Sequence, residues 1–383
     1  MKIIETYGNY IEKWSNEDPD RARWLLKTGW KAQNLKFRFA PDKRLMPADR
    51  YLARLMMDTM LMPLEKPQES AIVSVFTPCE LLQEAGIHPY NVEGFSCYLS
   101  ASKAERAFLQ QAENTGISET LCSYHKTFIG AAQKKVLPKP KCIVYTNLTC
   151  DANLLTFKKL AKMYEVPIFA IDVPMQQNED NVQYVSDQLR KLKEFIEECT
   201  GKKITDEALT ERLRRSKRTL EKFAQYEKES ADKYVPADLV TPLYVGMTNN
   251  LLLGTKEEED YVDRLLKDVK NAPAKKGKKI YWMHTIPFWS DAVKNELCFQ
   301  EKAQIVGCEL SHVCEPDFDP EKPYEAMARR MVYHALNGSA TRRIEAGIRH
   351  AKETGADGVV WFGHWGCKHL SLIHISEPTR QAE

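Results

Sequence analysis

The sequence lacks the features that mark membrane, secreted and nucleic-acid-binding proteins. No run of apolar residues approaches the ~18–20 needed to cross a bilayer. The opening MKIIETYGNYIEKW has no signal-peptide core. The formal net charge is only +2 over 383 residues, which provides no electrostatic footprint for nucleic acid. We therefore expect a cytoplasmic globular protein with neither nucleic acid nor a membrane as a partner.

Motifs for several common chemistries are missing as well. There is no GxGxxG after a predicted strand, no P-loop and no GxSxG, so no motif indicates dinucleotide binding, ATP hydrolysis or serine hydrolysis. Ten cysteines are present, but none belongs to the compact CxxC pattern of a zinc finger or a ferredoxin. Any metal site would have to be assembled from cysteines that lie far apart in the chain.

Hydrophobic periodicity predicts a helical start followed by two α/β units. Residues 1–65 have mostly helical patterns, and 49–64 carries Leu and Met at the spacing of a core-packing helix. Beyond them, short β-rich runs alternate with amphipathic helices, which predicts an α/β fold with parallel, doubly wound sheets. The predicted strands are 70–76, 141–146, 166–172, 279–284, 303–308 and 358–362. The predicted helices are 151–164, 182–199, 205–229, 323–336 and 342–354.

These elements divide the chain into regions of different character. The two long helices 182–199 and 205–229 are expected to bridge two lobes, and a polar loop at 272–279 precedes the second α/β unit. The predicted division is a helical region 1–68, a first lobe 69–200, a helical linker 201–275 and a second lobe 276–369.

The last segment, 370–383, differs in character from the rest of the chain. Pro378 would break a helix here, and Leu370–Arg380 reads LSLIHISEPTR. This string resembles the conceptual translation of a sequencing adapter, with 381–383 as index sequence. A natural polar tail is the alternative. On the first interpretation the authentic sequence ends near His369 and the second lobe is incomplete.

Three cysteines occupy positions where α/β proteins bind ligands. Cys150 (TNLTCD) follows the strand 141–146, Cys367 (GHWGCK) follows the strand 358–362, and Cys122 (ETLCSYHK) begins a predicted helix. Ligands bind beyond the carboxyl ends of parallel strands. A helix N-terminus favours thiolate and suits an anionic iron–sulfur cluster. The alternative is that all three are ordinary buried thiols, which are common in protein cores.

The remaining cysteines and two histidines have simpler interpretations. His284 and His364 end strands on the same predicted side, where each is either a hydrogen-bonded structural residue or part of a site. Cys314 is expected in a surface loop. Core or half-buried thiols are expected at Cys79, Cys97, Cys142, Cys199, Cys298 and Cys308.

Four segments resemble the 2-hydroxyacyl-CoA dehydratase family: TNLTCDANLLTFKKLAKMYEVPIFAIDVP, YWMHTIPFW, PYEAMARRMV and ADGVVWFGHWGCKH. The family includes subunits of 2-hydroxyglutaryl-CoA and phenyllactyl-CoA dehydratases and the related benzoyl-CoA reductase subunits. The similarity runs from about Ala71 to His369. It implies two Rossmann-like α/β lobes behind a helical N-terminal part. It also implies a [4Fe-4S] cluster between the lobes, held by three cysteines with one iron lacking a cysteine ligand.

Carried over, the family's three cysteine ligands fall on Cys122, Cys150 and Cys367. The first site reads CSYHK, so Lys126 stands where the family pattern has Arg, and Cys97 or Cys79 would be the substitute ligand. His364 is the candidate for catalytic hydrogen bonding near the cluster. The resemblance does not identify the base that removes the β-proton.

The family's chemistry solves the problem that the β-hydrogen of a 2-hydroxyacyl-CoA is hardly acidic. A separate ATP-hydrolysing activator protein injects one electron, and the thioester becomes a ketyl radical that expels the hydroxyl. The electron returns after the β-proton leaves, so ATP acts only through the partner. The resemblance also implies a heterodimer with a homologous subunit and possible flavin in the complex. A benzoyl-CoA reductase-type subunit and a non-catalytic scaffold subunit are the alternatives.

Overall fold

The computed structural model describes residues 2–311, 317–364 and 366–367; the predicted adapter segment and Cys314 lie outside them. Three helices open the chain, α1 (Lys2–Glu17), α2 (Pro19–Phe39) and α3 (Pro47–Glu65). Helix α3 buries Leu52, Met56 and Met60 completely, so the predicted packing role of its Leu and Met residues is confirmed.

A four-stranded parallel sheet follows, in the order β2-β1-β3-β4. Its strands are β1 (Ser70–Val73), β2 (His88–Asn91), β3 (Cys142–Thr146) and β4 (Ile168–Ile171). Strands β1 and β3 are buried along their whole length, as their apolar sequences require. Three of these strands were predicted. Strand β2 was missed because HPYN contains a proline, and it lies at the edge of the sheet, where proline is tolerated.

The helices around this sheet begin and end at identifiable signals. The helices of this part are α4 (Glu80–Glu84), α5 (Val92–Ala101), α6 (Glu105–Asn114), α7 (Ser123–Gln133), α8 (Ala152–Tyr164) and α9 (Glu179–Thr200). Asn178 caps α9 by accepting a hydrogen bond from the Asn181 N–H. Gly201 ends α9 with a φ of 71°, as its position in the sequence predicted.

Three more helices connect the two sheets, α10 (Asp206–Ser230), α11 (Thr241–Leu251) and α12 (Lys256–Lys270). Thr205 caps α10 by accepting from the Ala208 N–H. Helix α10 contacts α4 beside the first sheet and also the second sheet. The long charged helix therefore has neighbours in both parts of the chain.

The second sheet has three described strands, all parallel, in the order β6-β5-β7. They are β5 (Lys278–Met283), β6 (Ala303–Cys308) and β7 (Gly358–Trp361), accompanied by α13 (Asp291–Leu297), α14 (Pro323–Val332) and α15 (Ala340–Glu353). The predicted strands agree to within a residue or two. The predicted α/β class with two parallel sheets is therefore confirmed.

The two parts share packing through α14. This helix contacts α9 and places Met327 and Val332 in the hydrophobic cluster that surrounds the first sheet. The Tyr324 hydroxyl donates a hydrogen bond of 2.6 Å to Asp206 of α10. Among the described residues, no helix is both long and apolar enough to cross a membrane.

Candidate functional site

The structure brings Cys122, Cys150 and Cys367 together at the carboxyl ends of the two sheets. Cys122 is the N-cap of α7, Cys150 lies between β3 and α8, and Cys367 follows β7. Burial is the main cause of the raised pKa of the Cys150 thiol, and Glu93, Cys122 and Cys367 all lie within electrostatic reach of it and add to the shift. A Cβ added at Gly366 would lie 3.1 Å from the Cys122 Cα, so glycine permits the close approach of the Cys367 loop.

Two of the three cysteines, Cys122 and Cys150, lie at helix N-termini. Against the larger effect of burial, the backbone N–H groups of Tyr124 and His125 lower the pKa of Cys122 at the N-terminus of α7, and the Ala152 N–H lowers the pKa of Cys150. A ring nitrogen, Nε2 of His125, lies 3.6 Å from the Cys150 Sγ. This arrangement confirms that Cys122 and Cys150 lie at helix starts.

Burial nevertheless outweighs these donors in the protein alone. Desolvation raises the pKa of the Cys122 thiol to about 11, and it raises the pKa of Cys150 further. The N–H groups at the helix N-termini lower both pKa values in the expected direction, but by less than burial raises them. A bound cation or metal cluster would be needed to hold these sulfurs deprotonated.

His284 and His364 lie at the same edge, as predicted from the parallel strands that precede them. His284 follows β5, and its Nε2 lies 3.8 Å from the Cys367 Sγ. The His364 ring stacks on Tyr124, with centroids 5.5 Å apart and planes 15° from parallel. Burial lowers the pKa of His364. Among the described residues its Nδ1 has no hydrogen-bond partner.

Two further residues at the site were not identified from the sequence, Glu93 and His125. Glu93 lies in the first turn of α5, where burial raises the pKa of its carboxyl to about 7. Its Oε1 lies 3.7 Å from Nε2 of His125. Burial lowers the pKa of His125 to about 4, so the ring is neutral at physiological pH. The available signal for Glu93 was its position directly after a strand, but that strand, β2, was missed.

The alternative ligands differ in their positions. Cys97 borders the site. Burial raises the pKa of its thiol, a hydrogen bond with the Tyr124 hydroxyl lowers it, and Cys122 lies close enough to raise it slightly. Cys79 instead donates to the Thr77 carbonyl, 3.2 Å away. Lys126 forms an ion pair of 2.6 Å with Glu113 of α6. The basic residue of the CSYHK motif therefore stabilises helix packing.

The other thiols within the described part of the chain are buried or half-buried, as expected. Within the described part of the chain, no group of three His, Cys, Asp or Glu side chains suits a single metal ion. An iron–sulfur cluster makes a different demand, because its core separates the cysteine sulfurs and thiolates are its usual ligands. Three converging cysteines, two of them at helix N-termini, are a donor set that suits such a cluster.

The sequence matches a known protein family over most of its length. The sequence profile described as "2-hydroxyglutaryl-CoA dehydratase, D-component" matches residues 74–374. The chain belongs to this family. The resemblance stated from the sequence motifs is therefore confirmed, and the match includes all three converging cysteines.

Individual relatives are distant. The chain is 23% identical over 216 residues to the alpha subunit of (R)-phenyllactyl-CoA dehydratase from Clostridium sporogenes, covering 53% of this chain and 52% of that subunit. It is 25% identical over 320 residues to the beta subunit of the same enzyme, covering 78% of this chain and 79% of that subunit. It is 28% identical over 91 residues to the alpha subunit of (R)-2-hydroxyglutaryl-CoA dehydratase from Acidaminococcus fermentans, covering 23% of this chain and 19% of that subunit. The match thus spans about half the length of the first of these relatives.

Proposed function

We propose that the chain is a subunit of a cytoplasmic (R)-2-hydroxyacyl-CoA dehydratase, a hydro-lyase that converts 2-hydroxyacyl-CoA to 2-enoyl-CoA. The observation that carries this proposal is the convergence of Cys122, Cys150 and Cys367 at the carboxyl ends of two parallel sheets. The family assignment and the names of its relatives support the reaction class.

The three cysteines are proposed to hold a [4Fe-4S] cluster. When bound, such a cluster supplies the one-electron chemistry that makes the β-hydrogen of the substrate acidic by way of a ketyl radical. The protein's own part is to bind the acyl-CoA at this edge of the sheets, to exclude water and to move protons. The chain lacks a P-loop. ATP is therefore proposed to act only through a separate activator protein.

Glu93 is proposed to accept the β-proton. Its carboxyl lies beside the cysteines, and a pKa of about 7 allows it to take up and release a proton at physiological pH. Its side chain is 22% exposed, and its buried Oε2 has no hydrogen-bond partner among the described residues. Nε2 of the neutral His125 ring lies 3.7 Å from the Oε1 atom of this carboxyl. His364, stacked on Tyr124, is proposed to hydrogen-bond near the cluster.

The relatives include both an alpha and a beta subunit of one dehydratase. We therefore propose that a homologous second subunit completes the enzyme, and that flavin belongs to that complex if it is present. The family's reductases use a similar cluster but leave electrons in the product, so electron stoichiometry separates the two activities.

The experiment supplies the anaerobically purified complex with activator, ATP and a limiting electron donor. The probe substrates are (R)-phenyllactyl-CoA and (R)-2-hydroxyglutaryl-CoA. We expect one of them to yield enoyl-CoA in large excess over the donor consumed. Cys150→Ser should abolish turnover, while Cys298→Ser, at a half-buried thiol in α13's C-cap, should retain it. Donor consumption equal to product would indicate a reductase, and full activity of Cys150→Ser would indicate a scaffold.

A further inference from the structure

We infer that His125 and His284 each donate an N–H hydrogen bond to a cysteine sulfur of the proposed cluster and thereby raise its reduction potential. The inference rests on the proposed function, because it concerns the cysteines assigned there as ligands. It adds a role to two residues that neither the motif analysis nor the family comparison assigns.

The surroundings of His125 favour the tautomer that carries its proton on Nε2. Nε2 faces two acceptors, the Cys150 Sγ at 3.6 Å and the Glu93 Oε1 at 3.7 Å. Nδ1 lies 2.9 Å from the Thr156 hydroxyl, which can rotate to donate. With hydrogen on Nε2, the ring can donate to the Cys150 sulfur while the Thr156 hydroxyl donates to Nδ1. His125 is 1% exposed, so water does not compete for this donor.

His284 makes the corresponding contact in the second sheet by adopting an unusual backbone conformation. Its φ is 70°, in the left-handed region that is unfavourable for residues other than glycine. The Cys308 thiol donates to the His284 carbonyl at 3.5 Å, which helps to hold the turn. The ring then places Nε2 3.8 Å from the Cys367 Sγ. Strained residues of this kind persist where the surroundings impose them, and they cluster at functional sites.

Two of the three candidate ligands therefore have a histidine donor, one from each sheet. Reducing a cluster adds negative charge that spreads onto the cysteine sulfurs. N–H donors consequently stabilise the reduced state more than the oxidised state. Removing one donor should lower the reduced-to-oxidised ratio at a fixed solution potential by about tenfold. For a one-electron couple this corresponds to a shift of about 59 mV to more negative potential.

The test is redox titration of the anaerobically reconstituted protein, followed by electron paramagnetic resonance. At position 125, His125→Leu removes the donor, whereas His125→Gln keeps an N–H near the position of Nε2. At position 284, His284→Asn tolerates the positive φ but is too short to reach the sulfur. His88→Gln, at a half-exposed histidine of β2, is the matched control.

We expect the reduced-to-oxidised ratio at a fixed solution potential to fall about tenfold in His125→Leu and in His284→Asn. It should change little in His125→Gln and His88→Gln. An exchangeable-proton coupling to the cluster should disappear in His125→Leu and persist in His125→Gln. Unchanged potentials in His125→Leu and His284→Asn would overturn the inference. Equal loss of cluster from the Gln and Leu variants would also overturn it, since the ring would then be purely structural. Absence of iron from the wild-type protein would instead refute the proposed function.

Discussion

Asp49 provides a prediction about stability whose sign and size follow from its surroundings. The residue lies in the first turn of α3, is 4% exposed and lines a cleft beside strand β6. Burial, together with the charges of Asp238 and Asp268, raises the pKa of its carboxyl to about 8. The folded protein therefore retains a proton that the unfolded chain releases near pH 4.

The consequence is a loss of stability as pH rises. Between pH 4 and pH 8 the folded state binds one more proton than the unfolded state at this position, and each pH unit costs about 1.4 kcal/mol. At pH 7 the accumulated cost is about 4 kcal/mol. Asp49→Asn keeps the shape of the side chain and removes its titration. We expect the variant to be about 2–4 kcal/mol more stable than wild type at pH 7 and equally stable near pH 4.

The assay is urea unfolding followed by circular dichroism at several pH values from 4 to 8, under reducing conditions. Asp20→Asn is the matched control, since Asp20 lies in the first turn of α2 with 87% of its side chain exposed. Its effect should stay within about 0.5 kcal/mol at every pH. A difference between Asp49→Asn and wild type that does not grow with pH would refute the argument, as would destabilisation of the variant at pH 7.

Two further predictions address the site and the second sheet. Glu93→Gln should lower kcat by about 10²–10⁴-fold with the iron content unchanged, because the proposed proton acceptor is lost; retention of more than a tenth of wild-type kcat would contradict its role. Arg343 and Glu309 form a buried two-pronged ion pair with distances of 2.6 Å. Arg343→Met should therefore cost about 3–5 kcal/mol in urea unfolding by leaving the Glu309 charge unpaired, and adding Glu309→Gln should recover much of that loss.

Local sequence signals predicted most strands and the long helices, but not the shorter helices α5, α6 and α13. The apolar run KCIVYT forms β3. Gly201, in the left-handed conformation, ends α9 where expected. Both signals are local, because periodicity and helix capping depend on a few neighbouring residues. The edge strand β2 was missed for the same reason. Its proline and short length give no local β signal, and pairing with β1 supplies the stabilisation.

The site depends on long-range effects that spacing cannot reveal. The residues around Cys122 and Cys367 do not indicate that the two cysteines lie close together in space. Only the resemblance of the motifs to a known family assigned them to one site. The sequence pattern reveals the helix N-termini that favour thiolate, but not the burial that opposes it. Glu93 and His125 were missed since their importance comes from apolar surroundings and from each other.

The central claim is that Cys122, Cys150 and Cys367 together hold one iron–sulfur cluster. Iron and sulfide analysis after anaerobic reconstitution tests it most directly, on the wild-type protein, the three single Cys→Ser variants and Cys298→Ser. The account predicts about four iron and four sulfide per chain for wild type and Cys298→Ser. It predicts a large loss in each of the other three. Full cluster content in any one of those three variants would contradict the assignment of that cysteine, and no cluster in the wild type would contradict the account as a whole.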